Sequence, residues 1–241
     1  MKKDELYVDP QRVVPDFVFD ERVAQVFPDM INRSVPGYAT IINMIGTLAS
    51  RRVAEGSNCY DLGCSLGAAS MAVSSAIPHQ DYALIAVDNS LPMLQQAAKL
   101  LERSQQDSPI QLVCSDVRNV AIERASMIIL NFTLQFIPAE DRQGFLTQLY
   151  DGMLENGLLV LSEKIALSND ASQQLFTEMH HSFKKAQGYS DLEISQKRSA
   201  LENVLIPETL ERHKARLQEI GFTTVEVWFQ CFNFVSLLAI K

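Results

Sequence analysis

The stretch that decides the fold is Asp61-Leu-Gly-Cys-Ser-Leu-Gly67. It follows the short apolar run 58–62 and precedes residues 68–76, whose composition predicts a helix. Glycine at a strand-to-helix turn lets the backbone come close to a ligand, and the following helix offers free N–H groups. The spacing is Asp-x-Gly-x-x-x-Gly, and it differs from the G-x-G-x-x-G spacing of dinucleotide-binding loops. Taken alone, the loop is also consistent with a plain tight turn.

The chain around this loop alternates between apolar strands and helices. Further strands are predicted at 83–88, 110–116, 125–131 and 157–163, and the intervening helices at 68–76, 91–103 and 141–153. Continuous apolar strands that alternate with helices indicate a parallel sheet covered on both faces. Residues 223–230 and 234–240 are two strands with so short a link that only antiparallel pairing fits. The pattern predicts an α/β fold with a Rossmann-like class I methyltransferase sheet, mostly parallel and closed by an antiparallel hairpin.

Acidic residues stand at the ends of the second and third predicted strands. Asp88 ends the second strand, where a carboxylate can accept hydrogen bonds from both ribose hydroxyls. Asp116 ends the third strand and is placed to bind an adenine amino group, while the N–H of Val117 meets a ring nitrogen. Acids at strand ends also cap helices, so each of them alone has a second interpretation. Together with the glycine loop, in this order, they predict a site for S-adenosylmethionine (SAM).

The fourth strand ends at Asn131, where class I enzymes commonly place groups that face the substrate. The sequence there is Asn-Phe-Thr-Leu, not the Asn-Pro-Pro-Tyr of many amino-methylating enzymes, which counts against methylation of DNA bases or protein amides. An ordinary turn asparagine is the alternative. The pairs Lys184-Lys185 and Lys197-Arg198 lie in predicted helices, where the residues alone favour a solvated helix face. His180-His181 are adjacent, so they cannot form an i, i+4 metal pair and are interpreted as packing or surface residues.

We interpret residues 1–241 as one SAM-binding domain with two helical additions to the sheet. The N-terminal addition is helical from Phe19, with breaks expected at Pro28 and at Pro36-Gly37, and the second has expected breaks at Gly188 and Pro207. The expected parts are an N-terminal helical lid segment (1–53), a cofactor-binding core (54–165), inserted and flanking helices (166–220) and a closing hairpin (221–241).

The composition and charge of the chain limit the classes of binding partner that are expected. The net charge of −8 at pH 7 argues against direct nucleic-acid binding, which normally requires a basic patch. No apolar run approaches the roughly 20 residues of a membrane span, and the N-terminal residues do not have the pattern of a secretory signal. A cytoplasmic protein without membrane contact is therefore expected. The four cysteines have no metal-binding spacing, so neither a disulfide nor a metal site is predicted.

Several segments resemble the carboxy-S-adenosyl-L-methionine synthases. The resemblance extends from about Phe19 to Lys241 and includes segments outside the generic cofactor core. The segments that carry it include FDERVAQVFPDMINRSVPGY (19–38), YDLGCSLGAAS (60–70), ASMIILNFTLQF (125–136), GYSDLEISQKRSALENV (188–204) and WFQCFNF (228–234). It is therefore far more specific than the glycine loop.

The resemblance implies that SAM and prephenate are converted into carboxy-S-adenosyl-L-methionine and phenylpyruvate. The product would supply the carboxymethyl group with which a separate enzyme modifies the wobble uridine of certain transfer RNAs. The resemblance also implies a homodimer in which Arg198, as catalytic residue, reaches the neighbouring site and holds the new carboxylate. The residues that match the family's SAM-binding positions are Tyr38, Gly63, Cys64, Ser65, Asp88, Asn89, Asp116, Val117 and Asn131.

Three other functions stay open at the level of the sequence. A SAM-dependent small-molecule methyltransferase would share the whole cofactor site but would transfer a methyl group. A non-catalytic SAM sensor, or a partner subunit of an RNA-modifying complex, would bind the ligand without turnover. A nicotinamide oxidoreductase is disfavoured by the glycine spacing and by the closing hairpin.

Overall fold

The protein is described by a computed structural model over residues 2–104 and 110–241. Its centre is one seven-stranded sheet with the order β3-β2-β1-β4-β5-β7-β6. The strands are β1 Ser57–Leu62, β2 Tyr82–Asp88, β3 Ile110–Cys114, β4 Ala125–Asn131, β5 Met153–Lys164, β6 Thr224–Cys231 and β7 Phe234–Ile240. The first five strands pair in parallel, and β7 pairs antiparallel with both β5 and β6. The predicted sheet and its closing hairpin are confirmed.

Helices cover both faces of this sheet. They are α1 Glu21–Ser34, α2 Tyr38–Arg52, α3 Ala68–Ala76, α4 Leu91–Ser104, α5 Arg142–Gly152, α6 Asp170–Ala186, α7 Asp191–Leu201 and α8 Leu210–Ile220. Alternate residues of β4 divide between two hydrophobic clusters, because successive side chains of a strand point to opposite faces. Met127 and Ile129 pack in the cluster that contains α2 and α3, whereas Ile128 and Leu130 pack in the one that contains α5 and α8. Burial on both faces explains why the strands are continuously apolar.

The N-terminal addition differs from the prediction at Pro28. Helix α1 runs through this proline, although proline donates no backbone hydrogen bond to the preceding turn. The reason is packing: Val23, Val26 and Met30 on one side of α1 are buried in a single hydrophobic cluster that also includes Ala200 of α7. The expected break at Pro36-Gly37 is confirmed, since Gly37 is left-handed (φ 77°) and α2 begins at the next residue.

Two boundaries shift by a few residues. Strand β3 ends at Cys114, earlier than expected, because the Asp116 side chain accepts the Arg118 N–H and caps a short 3₁₀ turn. Strand β5 begins at Met153, directly after α5, and not at Gly157. No helix within residues 2–104 and 110–241 is both long and apolar enough to span a membrane.

Candidate active site

A cavity of about 620 Å³ lies where the parallel strands of the sheet end at their carboxyl termini. In open α/β sheets this is the place where ligands bind. We call one side of the cavity the strand edge: the ends of β1 to β4 and the loops that follow them. We call the other side the helical wall: α1, α6, α7 and the N-terminal segment 2–17. Both sides contribute lining residues, so the cavity is enclosed by the sheet and by its helical additions.

Nine of the ten predicted site residues line this single cavity. They are Tyr38, Gly63, Ser65, Asp88, Asn89, Asp116, Val117, Asn131 and Arg198. The exception is Cys64, whose side chain is buried in a small cluster with Ala86 and Leu94. Its backbone N–H donates to the Val87 carbonyl oxygen at 2.9 Å. The structure therefore brings together residues that are far apart in sequence and leaves the Cys64 thiol outside the site.

The glycine loop is held tightly against the neighbouring strands. Gly63 has a φ of 83°, and a Cβ atom on it would lie 2.3 Å from the Thr133 Oγ1, so no larger residue fits. Asp61 is buried, and its Oδ2 accepts hydrogen bonds from the Ser70 N–H (3.0 Å) and hydroxyl (2.5 Å). Burial raises the pKa of Asp61 to about 6. Asp61 thus ties the end of β1 to the first turn of α3 and fixes the loop between them.

Asp88 organises the same loop from the neighbouring strand. Its Oδ2 accepts the Ser65 N–H and its Oδ1 accepts the Ser90 N–H, both at 2.8 Å. Burial raises its pKa, and the two N–H groups act in the opposite direction. Each carboxylate oxygen has a second lone pair, so these bonds leave Asp88 able to accept hydrogen bonds from a ligand in the cavity.

Asp116 has the predicted capping role and also lines the cavity, where its binding of adenine stays a prediction. It caps a short turn through the Arg118 N–H, as a strand-end acid often does. Arg118 forms ion pairs with Asp116 (2.7 Å) and with Asp141 (2.6 Å). The hydrogen bond from the Arg118 side chain lowers the pKa of Asp116, so this carboxyl group is ionised at neutral pH.

Three cavity-lining residues carry buried oxygen atoms that have no hydrogen-bond partner within the described residues. These atoms are the Ser65 Oγ, the Asn131 Oδ1 and the Asn233 Oδ1. Leaving a buried polar atom unpaired costs about 1–3 kcal/mol. Ser65 in addition has a φ of 53°, a left-handed conformation that is uncommon outside glycine. Unpaired atoms and a constrained serine at one cavity indicate a site shaped for polar groups of a ligand, as the SAM prediction requires.

The helical wall carries cationic side chains. Its cavity-lining residues include Lys184 of α6 and Lys197 and Arg198 of α7, and Lys164 adds a further cation from the end of β5. The interpretation of the two basic pairs as solvated faces is wrong for Lys184 and Lys197, which are buried because the wall folds over the cavity. Sequence reasoning missed Lys164 as a lining residue, since the predicted strand stops one residue before it.

Arg198 is exposed, but it lines the cavity of its own chain. It lies close enough to Lys164 and His181 to lower the pKa of both, although burial is the larger cause for each of them. A single chain thus places a guanidinium beside the strand edge. Delivery of Arg198 from a second subunit stays a prediction.

Comparison with known proteins identifies the family. A model of the family described as "Methyltransferase domain" matches residues 60–157. Proteins named carboxy-S-adenosyl-L-methionine synthase from Geobacter sp. (strain M21) and Trichlorobacter lovleyi are 55% and 56% identical to this chain. Both alignments cover 100% of the chain and 99% of the relative. The chain belongs to the carboxy-S-adenosyl-L-methionine synthase family.

The predicted resemblance and the enzyme class are thereby confirmed. The generic methyltransferase match ends at residue 157 and includes the strand edge, whereas the similarity to the synthases continues through α6 and α7. Family membership therefore extends to the helical wall.

Solved structures agree on the fold. A putative S-adenosyl-L-methionine-dependent methyltransferase from Methanococcus maripaludis has a TM-score of 0.61 at 20% identity and covers 96% of this chain and 97% of its own. Human N-acetylserotonin methyltransferase in complex with SAM also has a TM-score of 0.61, at 16% identity, over 92% of this chain and 55% of its own. The class I methyltransferase fold is confirmed.

Proposed function

We propose that this enzyme converts SAM and prephenate into carboxy-S-adenosyl-L-methionine and phenylpyruvate. The observation that supports this most is the composition of one cavity. It joins acidic and unpaired polar groups of the strand edge to the Arg198 guanidinium of the helical wall. The former suit an adenosine and an amino acid, and the latter suits a carboxylate.

The strand edge supplies the proposed SAM site. Asp88 accepts the ribose hydroxyls, and Asp116 with the N–H of Val117 binds the adenine. Gly63 and Ser65 contact the methionine part, where the unpaired Ser65 Oγ gains a partner. The remaining SAM-binding residues in this proposal are Tyr38, Cys64, Asn89 and Asn131, and Cys64 acts through its backbone because its thiol lies outside the cavity.

The proposed reaction balances without a protein base. Prephenate loses its ring carboxylate as carbon dioxide and its ring hydroxyl as hydroxide, and the ring becomes aromatic in phenylpyruvate. The hydroxide removes a proton from the SAM methyl group, whose C–H bonds the adjacent sulfonium acidifies, and water forms. The methyl carbon then bonds to the carbon dioxide. Arg198 stabilises the new carboxylate through two parallel hydrogen bonds.

The protein supplies proximity and exclusion of water. Carbon dioxide must be captured before it leaves, which requires both substrates in one enclosed site. The helical wall closes the cavity over the strand edge, and its inner surface includes Phe17, Phe27 and Met30. In this proposal the wall acts as the lid of the reaction chamber.

The wider setting is also a proposal. The product supplies a carboxymethyl group to a separate enzyme that modifies wobble uridine in transfer RNA, so this chain itself need not touch RNA, in line with its net charge of −8. It works in the cytoplasm as a homodimer. The proposed mechanism assigns Arg198 to the cavity that it lines in its own chain, and its delivery to the neighbouring site stays a prediction from the family resemblance.

Mass spectrometry of small molecules tests the proposal directly. The purified protein is incubated with SAM, with and without prephenate, and is then denatured. The masses of the released molecules are measured. We expect a species about 44 mass units heavier than SAM, formed only with prephenate, because one carbon dioxide is gained. Intact SAM alone would overturn the proposal. S-adenosylhomocysteine formed with an acceptor would favour a small-molecule methyltransferase.

A further inference from the structure

Three cationic side chains of the cavity form no ion pair with an acid among the described residues. Lys164 comes from β5, Lys184 from α6 and Arg198 from α7, and all three line the same cavity. Among the described residues, no carboxylate oxygen lies within 4.0 Å of a charged nitrogen of any of them. They lack such a partner although carboxylates outnumber cationic side chains in the chain. Within the described residues, these three cations therefore have no carboxylate in direct contact.

The neighbouring Lys197 is a buried lysine of the same wall whose charge is paired with a carboxylate. Its Nζ lies 3.4 Å from the Asp4 Oδ2 and 3.0 Å from the Ser34 Oγ. Lys184 is equally buried, with 7% of its surface exposed against 5% for Lys197, but it has no such ion pair in the described structure. Burial of an unpaired ammonium group is unfavourable. Lys184 therefore lacks a negative partner that the protein itself supplies to Lys197.

The pKa values of the two lysines are also consistent with a missing anion. Burial, together with Lys197 and Lys164, lowers the pKa of Lys184 to about 7, while Asp4 acts in the opposite sense. Burial also lowers the pKa of Lys164, with a contribution from Arg198. Nearby cations thus contribute to the lowered pKa of each lysine, so an anion bound close to both would raise both pKa values and favour the charged forms.

We propose that Lys164 and Lys184 form a second carboxylate subsite, distinct from Arg198, which holds the carboxylate that the substrate keeps through the reaction. This inference rests on the proposed function. Prephenate carries two carboxylates, of which one is transferred and the other remains in phenylpyruvate. Arg198 serves the transferred one, and the lysine pair binds the pyruvyl carboxylate. The substrate class is thus a dicarboxylate whose two anionic ends occupy different parts of the cavity.

Phenylpyruvate tests this subsite separately from Arg198, because it retains only the carboxylate that is not transferred. Calorimetric titration of the SAM-loaded protein with phenylpyruvate should give an affinity that Lys184→Met weakens by about 10- to 100-fold, since it removes a hydrogen bond between charged groups. Arg198→Ala should change this affinity by less than about threefold. SAM binding to Lys184→Met should match the wild type. Unchanged phenylpyruvate affinity in Lys184→Met would overturn the inference.

Matched variants distinguish a specific loss of phenylpyruvate affinity from a general loss of folding. Lys185→Met makes the same change at the next position of α6, where the side chain is exposed and pairs with Asp191 at 2.6 Å. It should bind phenylpyruvate like the wild type. Lys184→Arg should restore most of the affinity because it keeps the charge. If Lys184→Met does not fold, Lys164→Met tests the other lysine of the subsite. In either variant, a loss of SAM affinity equal to the loss of phenylpyruvate affinity would contradict the subsite.

The two proposals can fail separately. If the wild type makes the heavier SAM species and Lys184→Met does so with an unchanged KM for prephenate, only the subsite is wrong. If the wild type makes no such species but binds phenylpyruvate in a Lys184-dependent manner, the subsite stands and the proposed function is wrong. If the SAM-loaded wild type does not bind phenylpyruvate, the subsite is wrong whatever the reaction.

Discussion

The strand edge and the helical wall enclose the same cavity, but contacts of very different range hold them in place. At the strand edge, the ordering hydrogen bonds join Ser65 to Asp88 and Ser70 to Asp61, which are 23 and 9 positions apart. In the wall, Lys197 contacts Asp4 across 193 positions. The strand edge is therefore built by neighbouring loops of one sheet, whereas the wall depends on a contact between the N-terminal segment and α7.

A cluster around Asp4 fastens the wall. Asp4 is almost fully buried, its N–H donates to the Asp29 Oδ2 at 2.7 Å, and its Oδ2 accepts the Tyr189 hydroxyl as well as Lys197. Arg33 donates to the Asp4 carbonyl oxygen and lies 3.8 Å over the Tyr189 ring. The cluster joins the N-terminal segment, α1 and α7, and α7 carries Arg198. This comparison suggests that the two sides of the cavity can be disabled independently.

The largest effect should come from Arg198→Ala. We expect carboxylation to fall by about 1000-fold, because truncating one partner of a close charge pair typically costs 2–5 kcal/mol. SAM affinity should stay within about threefold of the wild type, since the strand edge is untouched. Product formation by mass spectrometry and SAM titration by calorimetry measure the two quantities. Arg212→Ala, an exposed arginine paired with Glu219, is the control. Equal loss of SAM binding would refute the separation of roles.

Asp4→Ala tests whether the distant cluster supports the wall. It leaves the Lys197 ammonium buried without its carboxylate, so we expect the free energy of unfolding to fall by about 3 kcal/mol. The measurement is urea unfolding at pH 7. Well below the unfolding transition, the KM for prephenate should rise while SAM affinity is unchanged, which a uniform loss of stability would not produce.

The control for Asp4→Ala is Glu5→Ala at the next position. Glu5 is exposed and pairs only with the exposed Lys3 in the described structure, so its removal should cost less than about 1 kcal/mol. A similar loss of stability in both variants would contradict the role of the Asp4 cluster, and an unchanged KM for prephenate in Asp4→Ala would contradict its role in placing Arg198.

Asp88→Ala is the corresponding change at the strand edge. It removes the acceptor for the Ser65 and Ser90 N–H groups and for the proposed ribose hydroxyls, so SAM affinity should fall by about 100-fold. Calorimetric titration with SAM provides the measurement. Asp81→Ala, at the position directly before the same strand, should bind SAM normally. A variant of Asp88 that retains wild-type SAM affinity would remove the main support for the proposed orientation of the ligand.

The sequence predicts the strand edge far better than the wall, and the reason is physical. Parallel strands end at one edge of a sheet, so the order of Gly63, Asp88, Asp116 and Asn131 along the chain already predicts that they meet. No comparable rule predicts that Asp4 reaches α7 or that Lys184 is buried, because both depend on how helices pack. The uninterrupted helix through Pro28 has the same origin, since burial of one face of α1 outweighs a local preference.

The smallest of these effects concerns pH and acts on the wall alone. His180 is buried, its Nε2 donates to the Ser34 carbonyl oxygen at 2.8 Å, and its ring packs against Phe234. Burial, together with Lys184, Lys164 and His181, lowers the pKa of His180 to about 3. An unfolded histidine has a pKa near 6.5, so the unfolded state binds more protons as the pH falls below that value. Acidification from pH 7 to pH 5 should therefore cost about 2 kcal/mol of stability through this residue.

Urea unfolding of the wild type and of His180→Gln at pH 7 and pH 5 isolates this contribution. Glutamine does not titrate, so the variant should lose about 2 kcal/mol less than the wild type on acidification, whatever its stability at pH 7. His181→Gln is the matched control on the same helix. Burial also lowers the pKa of His181, but this side chain is more exposed, so its replacement should remove a smaller part of the acid sensitivity. Equal acid sensitivity in His180→Gln and the wild type would show that the wall tolerates a charged His180, and the ring would then have to reach solvent by moving away from Phe234.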